Sequence, residues 1–596
     1  MKSSTSNIMK LSLTLSVLAG VFGSTYGGTY VHAANESSDV NPVKPEWGYF
    51  VDTYQNNIKD KLTVDSNPVI GTLSGFNKLW APGQSWDSGT KLNDSILNMN
   101  IQKVINIASK RTAVQEQQAY LDDRRNQSYS VMDGLGALTD IYRQEAGATT
   151  TITEVAADAT SQKYDDEGNN AGDPNSSLGS VVGLVNKLRG DYSSSNPAKS
   201  YFSYKRPFRW SPEASVIPTL VPQIKSDPSS DGGYPSGHTN AAYLSAFAMA
   251  YAIPERYQEL LTRASELGND RIVAGMHSPF DVMGGRVMAT ALAAGILNDP
   301  ANKELKQAAY AQAQKELMNQ NGTAKDRFSN YNTNKQVYTE RLTYGFPQVA
   351  AANKPVSVPK GAEVLLETRQ PYLDDTQRRW VLATTGLASG YPVLDDPEGW
   401  GRLNLFAAAD GYGAFVKNVT VTMDAYKGGF YQEDSWRNAI SGKGGLIKKG
   451  TGTLHLTGKN SYTGTTTLLA GTLEGDHGYA FGRGDVRNEG GTLVENVQGW
   501  MVIGGDYQQS AKGTLELNIG SVSDLLSING TASYGGKLKL NFAKGYVPAN
   551  NSKIIVSDAS PKYGRFTYIQ TTGLPAGYTV KPVYSNTSVK LQIVKK

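Results

Sequence analysis

The sequence predicts a multidomain protein with an all-α domain followed by an all-β, β-solenoid-like C-terminal region. Its 596 residues exceed the roughly 100–200 residues of a single domain. Helical periodicity dominates from about residue 90 to 320, for example at Ile101, Val104, Ile105 and Ala108. From about residue 440, short runs rich in Thr, Val and Leu alternate with glycine, which is typical of short strands and tight turns.

Residues 1–33 have the form of a secretory signal peptide. Lys2 and Lys10 are followed by an apolar stretch from Leu11 to Phe22, and Ala33 ends a small-residue cleavage pattern. The apolar stretch is shorter than the about 20 residues that a membrane helix needs, and we expect no later window to reach that length. The mature chain is therefore predicted to be exported and to lack a transmembrane segment.

The helical domain is predicted to cover residues 40–320. Further helices are expected at 239–253, 254–267, 281–297 and 302–317, and the polar stretch at 164–177 is expected to form a loop. Residues 321–435 form a linker or uncertain region, in which 320–350 look like a polar linker and 355–435 give mixed signals.

A repeat marks the C-terminal region, residues 436–596. Gly-Thr-Leu begins at Gly452, Gly471, Gly491 and Gly513, and Gly536 begins a weaker fifth copy. A spacing of about 20 residues suits one rung of a parallel β-helix, in which Leu points inward and Gly permits a tight corner. This region is therefore predicted to be a stack of such rungs.

Composition excludes several classes of function. The 58 basic and 54 acidic residues give a net charge of +4, without the basic field that nucleic-acid binding needs. The chain contains no cysteine, which excludes disulfides, a thiolate nucleophile and Cys-ligated metal centres.

Three clusters in the helical domain suggest a phosphate site. Lys199, Arg206 and Arg271 are cations suited to the oxygens of a phosphoryl group. Ser236 and Gly237 stand where a helix is expected to begin, and backbone N–H groups at a helix N-terminus bind anions.

Two histidines complete the pattern. His238 falls in the first turn of that helix, where it could protonate a leaving group. His277 precedes a second helix start, in which Ser278 is placed as the N-cap and Asp281 lies one turn on. Asp281 could orient the His277 imidazole as a nucleophile, and the spacing suggests no metal site.

Together these clusters resemble the signature of the acid phosphatase and vanadium haloperoxidase superfamily, which includes the type 2 phosphatidic acid phosphatases (PAP2). Residues 198–208, 233–239 and 266–268 are most similar to bacterial class A non-specific acid phosphatases. The resemblance implies a phosphomonoesterase acting on small organic phosphates through a phosphohistidine, without a cofactor, although vanadate could mimic phosphate. It assigns His277 as nucleophile, Asp281 as its partner, His238 as general acid and base, and Lys199, Arg206, Ser236, Gly237 and Arg271 as phosphate ligands.

One difference from this family is Asp270, which stands where serine is usual. Its carboxylate could pair with Arg271 and weaken phosphate binding. A chemical alternative is vanadium-dependent halide oxidation, with vanadate held in the same site.

Residues 443–475 resemble the autotransporter-associated strand repeat of secreted passengers in Gram-negative bacteria. The resemblance implies a periplasmic, cell-surface or secreted location. A further alternative is therefore a surface adhesin or scaffold with a vestigial phosphatase domain, which the Arg-Gly-Asp triplets at 189–191 and 483–485 also suggest. The oligomeric state is not predicted.

Overall fold

The computed structural model describes residues 39–521, 524–547, 549–559 and 562–595. The predicted signal peptide, residues 1–33, lies outside the described residues. Helices dominate the chain as far as residue 408 and strands dominate after it, so the predicted order of an α region followed by a β region is confirmed. The α-helices are α1 Phe50–Thr53, α2 Pro68–Leu73, α3 Asp94–Ala108, α4 Ala113–Arg124, α5 Gln127–Val131, α6 Thr139–Ala146, α7 Gly179–Leu188, α8 Asn196–Phe202, α9 Gly237–Ala252, α10 Tyr257–Val273, α11 Pro279–Asn298, α12 Lys303–Leu317, α13 Tyr331–Thr343, α14 Asp375–Thr385, α15 Leu405–Ala408 and α16 Gly429–Gln432.

Helices α9, α10 and α11 form the centre of the α region. Each packs against the others, and nearly every residue of α11 is buried. By length and composition α11 could cross a membrane, contrary to the expectation that no later window would be long and apolar enough. Burial of nearly all its residues is what a core helix shows, and it explains why the helix is apolar on all sides.

The helices predicted between residues 239 and 317 are confirmed as α9 to α12, with α10 extending to Val273. The predicted loop at 164–177 contains no helix or strand. The prediction of a linker at 320–350 is wrong in part, because α13 lies there. Only Asn334, Tyr338 and Leu342 of α13 are buried. These three residues form a narrow stripe through which an otherwise polar helix packs against the rest of the protein.

The β region is a parallel solenoid with three faces. Among the described residues, one sheet has seven strands in the order β21-β18-β15-β12-β10-β8-β5, a second has seven in the order β20-β17-β14-β11-β9-β7-β4, and a third has five in the order β13-β16-β19-β23-β22. The third sheet ends in antiparallel pairs of β23 with β19 and β22.

The strands are β1 Trp80–Ala81 and β2 Thr90–Lys91, which pair within the α region, then β3 Ala414–Phe415, β4 Val419–Met423, β5 Glu433–Trp436, β6 Ser441–Gly442, β7 Leu446–Gly450, β8 Thr453–Leu456, β9 Thr466–Leu468, β10 Thr472–Gly475, β11 Val486–Asn488, β12 Thr492–Glu495, β13 Trp500–Ile503, β14 Tyr507–Gln509, β15 Thr514–Ile519, β16 Leu525–Ile528, β17 Ala532–Tyr534, β18 Lys537–Phe542, β19 Lys553–Asp558, β20 Lys562–Gly564, β21 Tyr568–Thr572, β22 Tyr578–Tyr584 and β23 Ser588–Lys595.

The Gly-Thr-Leu repeat sets the register of the first sheet. Successive copies pair in parallel, so that their leucines stack directly above one another. The weaker fifth copy joins the same row. These leucines are fully or almost fully buried: Leu454, Leu473, Leu493, Leu515 and Leu538. The prediction that the repeat leucine points into a stacked core is therefore confirmed.

A buried polar cluster joins the α region to the first rungs of the solenoid. Asp434 in β5 accepts hydrogen bonds from Arg369 Nη1 at 2.7 Å and from the Tyr372 hydroxyl at 2.5 Å. Trp436 Nε1 in turn donates to the Tyr372 hydroxyl at 2.8 Å. Arg369 and Tyr372 belong to the segment 355–415, which we call the adapter. One continuous hydrophobic core runs from the helices through the adapter into the solenoid.

Replacing a stacked leucine tests the solenoid core. We expect Leu473→Ala to lower the free energy of unfolding by about 2–5 kcal/mol, because it leaves a cavity between rungs. Leu469→Ala is the control in the same rung, since Leu469 is 40% exposed, and it should change stability by less than about 0.5 kcal/mol. Urea unfolding followed by the β-sheet circular dichroism signal measures both. Equal losses would contradict the inward stacking of Leu473.

Candidate active site

His277 lies between the end of α10 and the start of α11. Its backbone N–H donates to the Arg271 carbonyl at 3.1 Å. The following residue, Ser278, is the N-cap of α11 and forms a capping box with Asp281. The helix start predicted from the sequence is therefore confirmed. It places the Asp281 carboxylate one helical turn from a buried imidazole.

The hydrogen-bond partners of His277 determine its tautomer. Nε2 lies 2.9 Å from Arg206 Nη1, and a guanidinium can only donate, so Nε2 must accept. Nδ1 lies 3.2 Å from Asp281 Oδ2 and therefore carries the proton. Burial, reinforced by Arg206 and Lys199, lowers the pKa of His277 well below its usual value. The unliganded site thus holds a neutral imidazole with its lone pair on Nε2.

The Asp281 side chain, which orients the His277 imidazole, is fully buried. Its Oδ2 also accepts the Ser278 backbone N–H at 2.7 Å. Burial raises its pKa to about 6, although the Ser278 hydrogen bond and the charge of Lys199 oppose the shift. The carboxylate therefore loses its charge in mildly acidic solution, rather than near pH 4 as an exposed aspartate would.

Lys199 and Arg206 approach the histidine from α8 and the segment after it. Lys199 Nζ donates to the Gly232 carbonyl at 2.5 Å, and burial together with the charge of Arg206 lowers its pKa to about 7. Arg206 is oriented by Asp231, whose Oδ1 accepts from Arg206 Nε at 2.6 Å. The other oxygen of Asp231 accepts from Arg209 at 2.9 Å. Asp231 therefore fixes two guanidinium groups beside the site.

The N-terminus of α9 forms another wall. Ser236 is the N-cap, and its backbone N–H donates to the Asp281 carbonyl at 2.8 Å, which ties the starts of α9 and α11 together. Gly237 is the first helical residue, and a Cβ there would stand 2.9 Å from Ser195 Oγ. The first N–H groups of a helix have no partner within the helix and attract anions.

His238 follows in the first turn of α9 and is half-buried. Its Nε2 lies 3.3 Å from the Asp123 carbonyl. Burial and the positive charges of Arg124 and Arg206 lower its pKa to about 3. The imidazole is therefore neutral in the unliganded protein at ordinary pH.

Arg271, near the end of α10, is buried and pairs with the Asp123 carboxylate. The sequence-based expectation that Asp270 pairs with Arg271 is wrong for the described residues. Burial, together with the nearby charges of Asp122 and Glu266, raises the pKa of Asp270 well above its usual value. Consecutive residues of a helix point in different directions, which separates the two environments.

The structure brings all the predicted site residues into one neighbourhood. The charges of Arg206, Lys199 and Arg271, and His238 beside them, all act on His277. Sequence reasoning missed two carboxylates, Asp231 and Asp123. Asp231 lies close to the Pro235–His238 cluster in sequence, but Asp123 comes from α4 and no spacing connects it to the motif.

The segment that carries these residues is similar to known proteins. Residues 177–304 match the model of the PAP2 superfamily, and this segment contains every predicted site residue. The α region thus contains a PAP2 superfamily domain. It is similar to the non-specific acid phosphatase of Salmonella typhi, with 36% identity over 119 residues, 20% of this chain and 46% of that protein. The acid phosphatase of Zymomonas mobilis is 32% identical over 129 residues, 20% of this chain and 47% of that protein.

A second family model matches within the solenoid, and the chain is also similar to an autotransporter. Residues 446–474 match the passenger-associated-transport-repeat. The chain is 30% identical over 262 residues to the Neisserial autotransporter lipoprotein NalP of Neisseria meningitidis, covering 38% of this chain and 23% of that protein. The chain thus spans less than half the length of each of these relatives. The repeat and this likeness suggest an exported, surface or secreted protein.

Removing the Asp231 carboxylate tests its structural part in the site. We expect Asp231→Asn to lower the free energy of unfolding by about 1.5–3 kcal/mol, since two largely buried guanidinium groups lose a charged acceptor. Asp227→Asn is the control, because Asp227 only closes an exposed turn with Ser229. Chemical unfolding measures both variants. A stable Asp231→Asn protein would show that Arg206 and Arg209 do not depend on this carboxylate.

Proposed function

We propose that the protein is an exported acid phosphatase, a phosphoric monoester hydrolase that acts on small organic phosphates through a phosphohistidine at His277. The observation that carries the proposal is the buried, neutral His277, with Nδ1–H directed at Asp281 and the Nε2 lone pair directed at Arg206. Arg206 contacts Nε2, and the charges of Lys199 and Arg271 also act on His277, which suits a phosphoryl group bound at Nε2. Similarity of residues 177–304 to acid phosphatases supports the same reaction.

The first chemical step transfers the phosphoryl group to His277. In the unliganded site the Nε2 lone pair accepts the Arg206 N–H. When the substrate binds, a phosphate oxygen becomes the acceptor of that N–H instead, and Nε2 is free to attack phosphorus. The N–P bond forms while the P–O bond to the leaving group breaks. Lys199, Arg271 and the N-terminus of α9 stabilise the charge on the equatorial oxygens.

His238 supplies the proton for the leaving alkoxide. Its pKa of about 3 in the unliganded site reflects burial and nearby cations, and the negative charge of a bound dianion opposes the effect of those cations. Substrate binding therefore raises the pKa of His238. The imidazole then takes up a proton, which it donates to the leaving oxygen.

Water completes the cycle. Neutral His238 accepts a proton from a water molecule, whose oxygen attacks phosphorus as the N–P bond breaks. Inorganic phosphate leaves and His277 returns to its neutral form. Asp281 keeps the proton on Nδ1 throughout, so the electron pair returns to Nε2.

Trapping the intermediate tests reaction class and residue together. With labelled substrate and an alkaline quench, we expect a phosphohistidine on His277 in the wild-type protein. His277→Ala should lose the label and lower kcat at least about 10³-fold. His477→Ala, in the solenoid, is the control and should keep both.

Two outcomes would overturn the proposal. One is unchanged hydrolysis of p-nitrophenyl phosphate by His277→Ala. The other is bromide oxidation with added vanadate in a wild-type protein that hydrolyses no phosphate ester, which would favour haloperoxidase chemistry in the same site.

The pH profile tests Lys199. Because the pKa of Lys199 is lowered to about 7, its ammonium group loses its proton as the pH rises through 7, and kcat/KM should fall there. Lys199→Arg keeps a positive charge, so the fall should move to higher pH even if the maximum is reduced. The measurement is kcat/KM from pH 5 to 9 with a substrate that stays dianionic across the fall. An unmoved alkaline limb in Lys199→Arg would assign the ionisation to another group.

A further inference from the structure

A histidine and several carboxylates meet on the outer face of the solenoid, far along the chain from the phosphate site. His455 lies between Leu454 and Leu456, which are both fully buried, so strand alternation turns the imidazole outward. Glu474 pairs with His455 in the next rung. Asp476 follows directly after β10, and its backbone N–H donates to the Leu456 carbonyl at 3.1 Å.

The ligand atoms of His455, Glu474 and Asp476 all lie within 4.8 Å of one another. His455 Nδ1 is 3.2 Å from Asp476 Oδ2 and 3.7 Å from Glu474 Oε1. The three side chains are only 17%, 18% and 23% exposed, so the solenoid backbone and neighbouring rungs restrict their movement. They therefore form a preformed group rather than a chance meeting of mobile surface charges.

A fourth residue sets the orientation of the imidazole. Glu433, in the preceding rung, lies 3.1 Å from His455 Nε2. Carboxylates face both ring nitrogens, Asp476 at Nδ1 and Glu433 at Nε2, so the imidazole of the metal-free site donates a proton to each. A metal ion bound at Nδ1 would displace one of these protons and leave the other on Nε2, directed at Glu433, while Nδ1 and the oxygens of Glu474 and Asp476 all lie within reach of that ion. A carboxylate that fixes the far nitrogen of a histidine is also the usual second partner at a histidine–metal bond.

Besides the His455 imidazole, the described surroundings add no positive charge to the group. Asn496 Nδ2 donates to Glu474 at 2.7 Å and to Asp476 at 2.8 Å, but an amide is neutral. In the described part of the chain, neither Glu433, Glu474 nor Asp476 forms an ion pair with a lysine or arginine. Three carboxylates thus share one imidazole.

We propose that His455, Glu474 and Asp476 bind one divalent transition-metal ion of the zinc type. One imidazole nitrogen and two carboxylate oxygens are zinc ligands, and three protein ligands leave a position for water. Calcium and magnesium prefer oxygen ligands alone, so the imidazole selects against them. The ion connects β8 to the rung of β10 and stabilises the solenoid within the matched repeat.

Zinc and cobalt titrations of the full chain, freed of metal by a chelator, test the site. We expect one Zn²⁺ per chain by calorimetry, visible absorption bands with Co²⁺, and a higher melting temperature of the β-sheet signal with zinc. His455→Ala should lose stoichiometric binding and the temperature shift. Glu433→Gln should keep the fold and bind zinc about 10–100-fold more weakly.

Two variants serve as matched controls. His477→Ala removes the neighbouring solenoid histidine, whose Nδ1 instead accepts the Tyr479 backbone N–H at 3.1 Å. His277→Ala removes the phosphate-site histidine. Both should bind zinc as the wild type does. Absence of binding at micromolar zinc, binding that survives His455→Ala, or a preference for calcium would each overturn the proposal, and none of these results bears on phosphate hydrolysis.

Discussion

The candidate active site depends on balancing three cations in a half-buried space. Lys199, Arg206 and Arg271 could not be held so close together without compensation, since desolvation and mutual repulsion both oppose their charged forms. Asp231 orients Arg206, Asp123 pairs with Arg271, and the charge of Asp281 supports Lys199. These carboxylates reduce the free-energy cost of holding three cationic side chains together in the fold.

The neighbouring charged groups also determine how His277 and His238 differ. His277 is fixed from both sides, by Asp281 and Arg206. In the described part of the chain, His238 has one hydrogen-bond partner, the Asp123 backbone carbonyl 3.3 Å from Nε2. The first environment suits a nucleophile that must keep one tautomer, and the second suits a group that changes its protonation when an anion arrives. In the proposed mechanism two chemically identical side chains would therefore take different roles because their neighbours differ.

Much of this architecture could be predicted from the sequence, because its causes are local. The capping box of α11, the N-cap of α9 and the leucine row of the solenoid each arise from a few neighbouring residues. Asp123 could not be found in this way, since it reaches the site from α4 through tertiary packing. The sequence of the adapter did not indicate one type of secondary structure, because its residues face both helices and strands. Helix α13 was missed because its buried stripe is polar at Asn334. The environment of Asp270 depended on Asp122, more than a hundred residues earlier.

The continuous core across the adapter gives the solenoid two unequal ends. Each rung contacts only its neighbours, so stability accumulates along one dimension. The rung that contains β5 is anchored to the helices through Asp434, Arg369 and Tyr372, whereas the distal rungs end in the antiparallel pair of β22 and β23. Among the described residues, the rungs near β5 therefore have support from the helices that the rungs near β22 and β23 lack. A lesion in a middle rung would release the distal segment and leave the phosphatase-like domain and its first rungs folded.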